Sequence, residues 1–315
     1  MKWATFTPPG DPADRAGLVV GARLHALEPG LTLLDLLGDD GERLARAGER
    51  VGSSPADVFQ LDAVRLRPPI PNPATFRDFY AFEQHVRTAR RGRGLEMIPE
   101  WYQIPVFYFS NPGALLGSGD DLVVPPDCQE LDFELEVAAV IGRAGANLTP
   151  GDAEHAIAGF TVLNDWSARD LQRREMRLGL GPAKGKDFAT SVGPFLVTPD
   201  ELAPYRGGRA YALEMTARVN GAEYSRGSLA DLYWSFGEMI SYASRGVWLR
   251  PGDLIGSGTC GTGCILEQSF SDSPGRYPWL RPGDQVELQV EHLGTLGNYV
   301  TNDPSRWRTS LPAVE

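Results

Sequence analysis

The stretch LDFELEVAAVIG, residues 131–142, constrains this chain more than any other. In an extended strand successive side chains alternate faces, so Asp132, Glu134 and Glu136 point one way while Leu131, Phe133, Leu135 and Val137 point the other. The continuation VAAVIG is apolar on both faces, which is the pattern of a strand covered by layers on both sides. Three carboxylates leading into such a strand are costly unless something positive lies over them. A solvated outer face would remove the cost, but it fits poorly with a strand of the buried type. A hard divalent cation is the economical neutraliser for oxygen ligands.

A second informative stretch is FTVLNDWSARDLQRREM, residues 160–176. It reads as an apolar strand, then Asn-Asp, then a helix from Trp166 to about Met176. Asp165 stands at the junction, where it can serve as a helix N-cap or as a metal ligand projecting into a cleft. Arg169 and Gln172 follow at i+4 and i+7, so a cation and an amide can line the side of the carboxylate. Lys186 lies in the glycine-rich stretch GLGPAKGKDFATSVGP, where backbone can approach a ligand closely. Upstream, Phe79, Phe82 and Val86 recur at helical spacing, which predicts a helix from Ala74 to about Arg90 with Asp78 and His85 on one side of it. Downstream, IGSGTCGTGCILEQSF supplies small residues, Thr259 and, within what reads as an apolar strand, the carboxylate Glu267. A buried Glu requires a partner, and a His is a suitable one.

The chain of 315 residues can bury a real core and allows more than one domain. The first 65 or so residues read as a module of their own, ending at the proline cluster PPIPNP, because prolines fix φ and withhold donors. From about Val106 short strands separated by Gly and Pro turns dominate, with a second helix predicted from Ser228 to about Arg245. The sequence LRPGD occurs twice, at 249–253 and 280–284, and reads as a reused turn. No phosphate-binding glycine motif opens a helix, so a nucleotide fold has no support. Thirty Lys and Arg against 41 Asp and Glu give a net charge of -11, without a dense basic block, which argues against a nucleic-acid partner. No run of about 18 apolar residues suggests a membrane span. The N-terminal MKWATFTPPGDPADR lacks the apolar region of a signal peptide, so a cytoplasmic location is expected. Cys128, Cys260 and Cys264 are odd in number and lack zinc-type spacing, so they read as plain thiols.

In order, DFYAFEQH (78–85), ELE (134–136), NDWSARDLQ (164–172), GKDF (185–188) and GSGT (256–259) closely resemble the fumarylacetoacetate hydrolase family. The resemblance spans about residues 70–270. It implies an α+β, predominantly β fold, with a mixed β-roll catalytic domain over 69–315 and a small N-terminal domain over 1–68. It also implies a homodimer acting on a small-molecule diketo acid, with no nucleic-acid or membrane partner. Mg²⁺ or Ca²⁺, or else Mn²⁺, would be held by Glu134, Glu136, Asp165 and Asp78. The family's His and Glu dyad falls on His85 and Glu267, its cationic and amide groups on Arg169, Gln172 and Lys186, and its substrate contacts on Tyr80, Tyr108 and Thr259. Met176 stands where the hydrolases carry a tyrosine.

The activity implied is hydrolysis of a C–C bond in a 1,3-diketo acid of fumarylacetoacetate or acylpyruvate type, with His85 as general base oriented by Glu267. The rival readings are a 2-oxo acid decarboxylase, hydratase or isomerase of the same family, or a non-catalytic metal-binding β-roll.

Overall fold

The computed structural model describes residues 1–270 and 275–306. Its main sheet has twelve strands. Ten run in the spatial order Asp57–Gln60, Arg23–Ala26, Arg15–Val20, Lys2–Thr7, Thr190–Val197, Ile157–Asp165, Leu135–Ile141, Leu254–Gly256, Phe76–Phe79 and Phe107–Phe109. Arg65–Arg67 pairs beside Lys2–Thr7, and Leu115–Leu116 runs parallel to Thr190–Val197. A second sheet of five strands, with Glu214–Val219, Gln285–Val290 and Gly294–Thr301 at its centre, closes over one face. Packing of these sheets buries one core in which Val137, Val162 and Phe195 meet Met215, Leu288 and Leu296. The result is the mixed α+β roll expected, with apolar area removed from water on both sides of the main sheet.

The strand Leu135–Ile141 is buried on both faces, as its unbroken apolar sequence requires. Leu135, Val137, Ala139 and Ile141 enter the core between the sheets. Ala138 and Val140 face a second core, where Trp3, Leu27, Leu44 and Val51 from the N-terminal segment meet Leu163 and Leu196. Lys2–Thr7 pairs antiparallel with Thr190–Val197, so the first residues extend the same sheet that carries the central strands. Among the described residues no helix is long and apolar enough to cross a membrane.

Four local expectations are corrected. The helix expected from Ala74 begins only at Glu83 and runs to Arg91; Phe76–Phe79 is a strand parallel to Leu254–Gly256. Sheet pairing overrides the helical spacing of Phe79, Phe82 and Val86, so Asp78 and His85 do not share a helix face. The helix expected from Ser228 spans only Phe236–Ala243, behind a capping box of Ser235 and Glu238, because residues 222–228 pair with Glu214–Val219. The helix after Asp165 starts at Arg169, since Ser167–Ala168 pairs with Leu131–Asp132. Glu267 lies on a short helix, Ile265–Ser269, rather than in a strand.

Candidate active site

One face of the main sheet changes character along its length, and that change builds the site. Phe76, Ala138 and Leu163 pack into the second core. Two residues away on the same three strands, and therefore on the same face, stand Asp78, Glu136 and Asp165. Register brings them together: Asp78 lies opposite Gly256, Gly256 opposite Ala138, and Glu136 opposite Leu163. Carboxylate oxygens of Asp78, Glu136 and Asp165 all lie within 4.8 Å of one another, and all three residues are buried. Gly256 makes this approach possible, because a Cβ there would meet Asp78 Oδ1 at 2.2 Å. The Gly258 amide donates to Asp78 (3.3 Å), Thr259 Oγ1 to Glu136 (3.3 Å) and the Tyr108 hydroxyl to Asp165 (2.6 Å).

Glu134 does not join this cluster. The strand breaks after Asp132 and resumes at Leu135, so strict alternation fails at the point where three carboxylates were expected on one face. Glu134 instead accepts from Lys186 Nζ at 2.5 Å and from Arg169 at 2.7 Å. Lys186 also donates to Asp165 at 2.5 Å, bridging Glu134 to the cluster. Asp132 turns elsewhere: it accepts from Arg169 Nε (2.8 Å) and from the amides of Ile265 (2.7 Å) and Leu266 (3.0 Å), holding the start of the helix that carries Glu267. Arg169 is thus a buried cation between two carboxylates and not a surface ion pair, and its third arm donates to Gln172 at 3.1 Å.

Electrostatics separate the carboxylates. Burial, reinforced by the charge of Asp165, pushes Asp78 well above the usual carboxylate range. Burial and the charge of Asp78 do the same to Glu136. Burial also raises Asp165, against the pull of Lys186. Glu134 goes the other way, because Lys186 and Arg169 outweigh its burial and hold it well below the usual range. Among the described residues, Glu136 Oε2 and Asp165 Oδ1 are buried without a hydrogen-bond partner. Orphaned carboxylate oxygens in a convergent cluster whose burial disfavours charge suit a hard divalent cation, and the residues present fit one.

On the adjoining side, His85 Nδ1 lies 2.5 Å from Glu267 Oε1, and Glu267 Oε2 accepts from the Thr262 amide at 3.1 Å. The expected dyad is therefore assembled across 182 residues of sequence. Tyr80 packs edge-on against the His85 ring at 5.5 Å, its hydroxyl pushed up to about 12 by burial. Tyr108 was expected to contact substrate; its hydroxyl is bonded to Asp165. The sequence reading missed the tethering by Asp132 and the placement of Cys264, whose Sγ is 3.9 Å from Glu267 Oε1. Only the CxLE spacing before Glu267 could have signalled that thiol.

A mixed β-roll with a strand-borne carboxylate cluster beside a His–Glu pair has the make-up of an enzyme site. The comparisons identify which one. The C-terminal profile of fumarylacetoacetate (FAA) hydrolase matches residues 74–301. The chain is 32% identical to an oxaloacetate tautomerase of Bacillus subtilis, over 77% of this chain and 75% of that protein. It is 29% identical to a fumarylacetoacetase of Oryza sativa subsp. japonica, over 68% of this chain and 62% of that protein. A solved fumarylacetoacetate hydrolase from psychrophilic Exiguobacterium antarcticum superposes with a TM-score of 0.74 at 25% identity, covering 96% of this chain and all of that one. The chain belongs to the fumarylacetoacetate hydrolase family.

Proposed function

We propose that this enzyme hydrolyses a C–C bond in a 1,3-diketo acid of fumarylacetoacetate or acylpyruvate type. The observation that carries the proposal is the buried His85–Glu267 pair beside the carboxylate cluster. A purely structural metal site has no use for a second, separately tethered acid–base pair. Glu267 fixes the ring through Nδ1, which turns Nε2 away from that carboxylate. With the proton on Nδ1, Nε2 is free to take a proton from water, whose oxygen then attacks a carbonyl carbon. Asp78, Glu136 and Asp165 would hold Mg²⁺, Ca²⁺ or Mn²⁺, with Glu134 placing Lys186 beside them, and such an ion supplies Lewis-acid polarisation of a bound diketone.

The remaining groups keep donors in reserve. Lys186 has three N–H bonds and uses two on Glu134 and Asp165, which leaves one for an oxygen of substrate. Gln172 accepts from Arg169 through Oε1, so its amide nitrogen is free to donate. These donors are fixed before substrate arrives, and one such donor is worth about 3 kcal/mol of barrier. Tyr80 and Thr259 border the same space. In this reading residues 1–68 form the small N-terminal domain and 69–315 the catalytic domain of a cytoplasmic homodimer.

Keto–enol tautomerisation of an oxaloacetate-like acid is the second reading, favoured by the identity to the Bacillus protein. Turnover of fumarylacetoacetate, fumarylpyruvate, acetylpyruvate and oxaloacetate with Mg²⁺ in oxygen-18 water separates the two. Hydrolysis places label in the carboxylate of the acid released from a diketo acid. Interconversion of oxaloacetate tautomers, with no diketo acid cleaved, would overturn the hydrolase reading.

A further inference from the structure

A second group of convergent donors lies beside the carboxylate cluster. His85, Cys264 and Glu267 each offer a ligand atom, all within 4.8 Å of one another, and all three residues are buried. Glu267 Oε1 is 2.5 Å from His85 Nδ1 and 3.9 Å from Cys264 Sγ. Bond lengths of zinc type put neighbouring N, S and O ligands about 3.2 to 3.7 Å apart in a tetrahedron, so an ion would replace the His85–Glu267 hydrogen bond by parting those two atoms and drawing Cys264 Sγ slightly closer. The frame is fixed from outside: Asp132 clamps the amides of Ile265 and Leu266, and the Thr262 amide holds the other oxygen of Glu267. The cation of Arg169 is already compensated by Asp132 and Glu134.

The two groups differ in ligand chemistry. Asp78, Glu136 and Asp165 offer only hard oxygens, which suit Mg²⁺ or Ca²⁺. The second trio offers imidazole, thiolate and carboxylate, a set that suits Zn²⁺ or Cd²⁺ and that Mg²⁺ does not compete for. We propose that His85, Cys264 and Glu267 form a separate site for a thiophilic divalent ion whose binding switches the enzyme off.

The proton balance gives the off-switch its mechanism. An ion bound to Nδ1 moves the proton of the neutral imidazole to Nε2, and Cys264 releases its thiol proton, so one proton leaves per ion bound. A ring protonated at Nε2 cannot accept a proton from water. Silencing, unlike binding, rests on the assignment of His85 as the base.

The test is a titration of Mg²⁺-saturated enzyme with Cd²⁺, following both the ultraviolet thiolate-to-metal charge-transfer band and diketo acid turnover. One Cd²⁺ per chain should produce the band and abolish turnover, and a chelator followed by Mg²⁺ should restore activity. Cys264→Ser should remove the band and raise the inhibitory Cd²⁺ concentration at least about tenfold, the scale for losing even an outer partner of a metal site. Cys260→Ser should retain both responses, and Glu136→Gln should retain the band. Absence of a band at one equivalent, or a band that survives Cys264→Ser, overturns the site. A Cys264-dependent band with turnover intact upholds the site and overturns His85 as the base.

Discussion

The carboxylate cluster and the His–Glu pair lie side by side but are built by different means. Asp78, Glu136 and Asp165 stand on three strands of one sheet, where backbone pairing sets their separation. His85 and Glu267 stand on two short helices, Glu83–Arg91 and Ile265–Ser269, joined by the His85–Glu267 bond, with Asp132 clamping the start of the second. Like charges can be forced together only on a frame that cannot yield, because each buried carboxylate raises the cost of ionising the next. A base needs orientation more than rigidity, and one short hydrogen bond to a carboxylate supplies it.

The contrast is broken most severely at the cluster. Glu136→Gln should abolish Mg²⁺ binding in calorimetry and leave an enzyme that neither Mg²⁺ nor Mn²⁺ restores after EDTA. The metal-free variant should melt higher than the metal-free parent, since one of three mutually repelling groups has become neutral. Unchanged Mg²⁺ affinity would remove the cluster as the cation site. The dyad should respond oppositely: His85→Ala should lower the rate on a diketo acid by about 100-fold to 10,000-fold while Mg²⁺ affinity stays as it was. Full activity in that variant would remove His85 as the base.

Tyr108→Phe probes the cluster's support. Loss of the hydroxyl that donates to Asp165 should weaken Mg²⁺ binding about tenfold, measured by the same titration, with the fold unchanged.

The smallest effect is on stability. Asp78, Glu136 and Asp165 are raised in the folded state, so the folded protein keeps protons that the unfolded chain loses above about pH 4. That stabilisation is complete below the ordinary carboxylate pKa and is lost as pH rises through the raised values. Glu134 is lowered, so its contribution is lost only on acidification below the ordinary range. In EDTA the melting temperature should therefore fall as pH increases from about 5 towards neutrality. With Mg²⁺ the fall should be suppressed, because the ion replaces the protons. A rise with pH in EDTA would show that these groups do not repel one another in the folded protein.

Much of the site was legible because its residues sit in short, dense motifs. ELE, NDWSARD and GKDF carry Glu134, Glu136, Asp165, Arg169, Gln172 and Lys186, and the structure brings all six together. Legibility failed where a local pattern competed with a distant pairing. Phe79, Phe82 and Val86 have helical spacing, yet Phe76–Phe79 is a strand because Leu254–Gly256 lies alongside it. Glu134 alternates with Glu136 in sequence and departs from it in space, because Leu131–Asp132 is drawn out of the sheet to pair with Ser167–Ala168.

The sequence by itself determined that a strand buried on both faces carries carboxylates at its entrance, and that a buried Glu267 needs a partner such as a His; the choice of His85 came from the family resemblance. Burial cost and alternation are properties of residue type and spacing, so they can be read without coordinates. Tertiary structure alone decided which carboxylates converge and which is bound by Lys186 and Arg169. It also decided that Asp132 anchors a helix and that Cys264 adjoins the dyad. Those outcomes depend on register between strands and on the path of the chain after a break, where a shift of one residue moves a side chain to the opposite face.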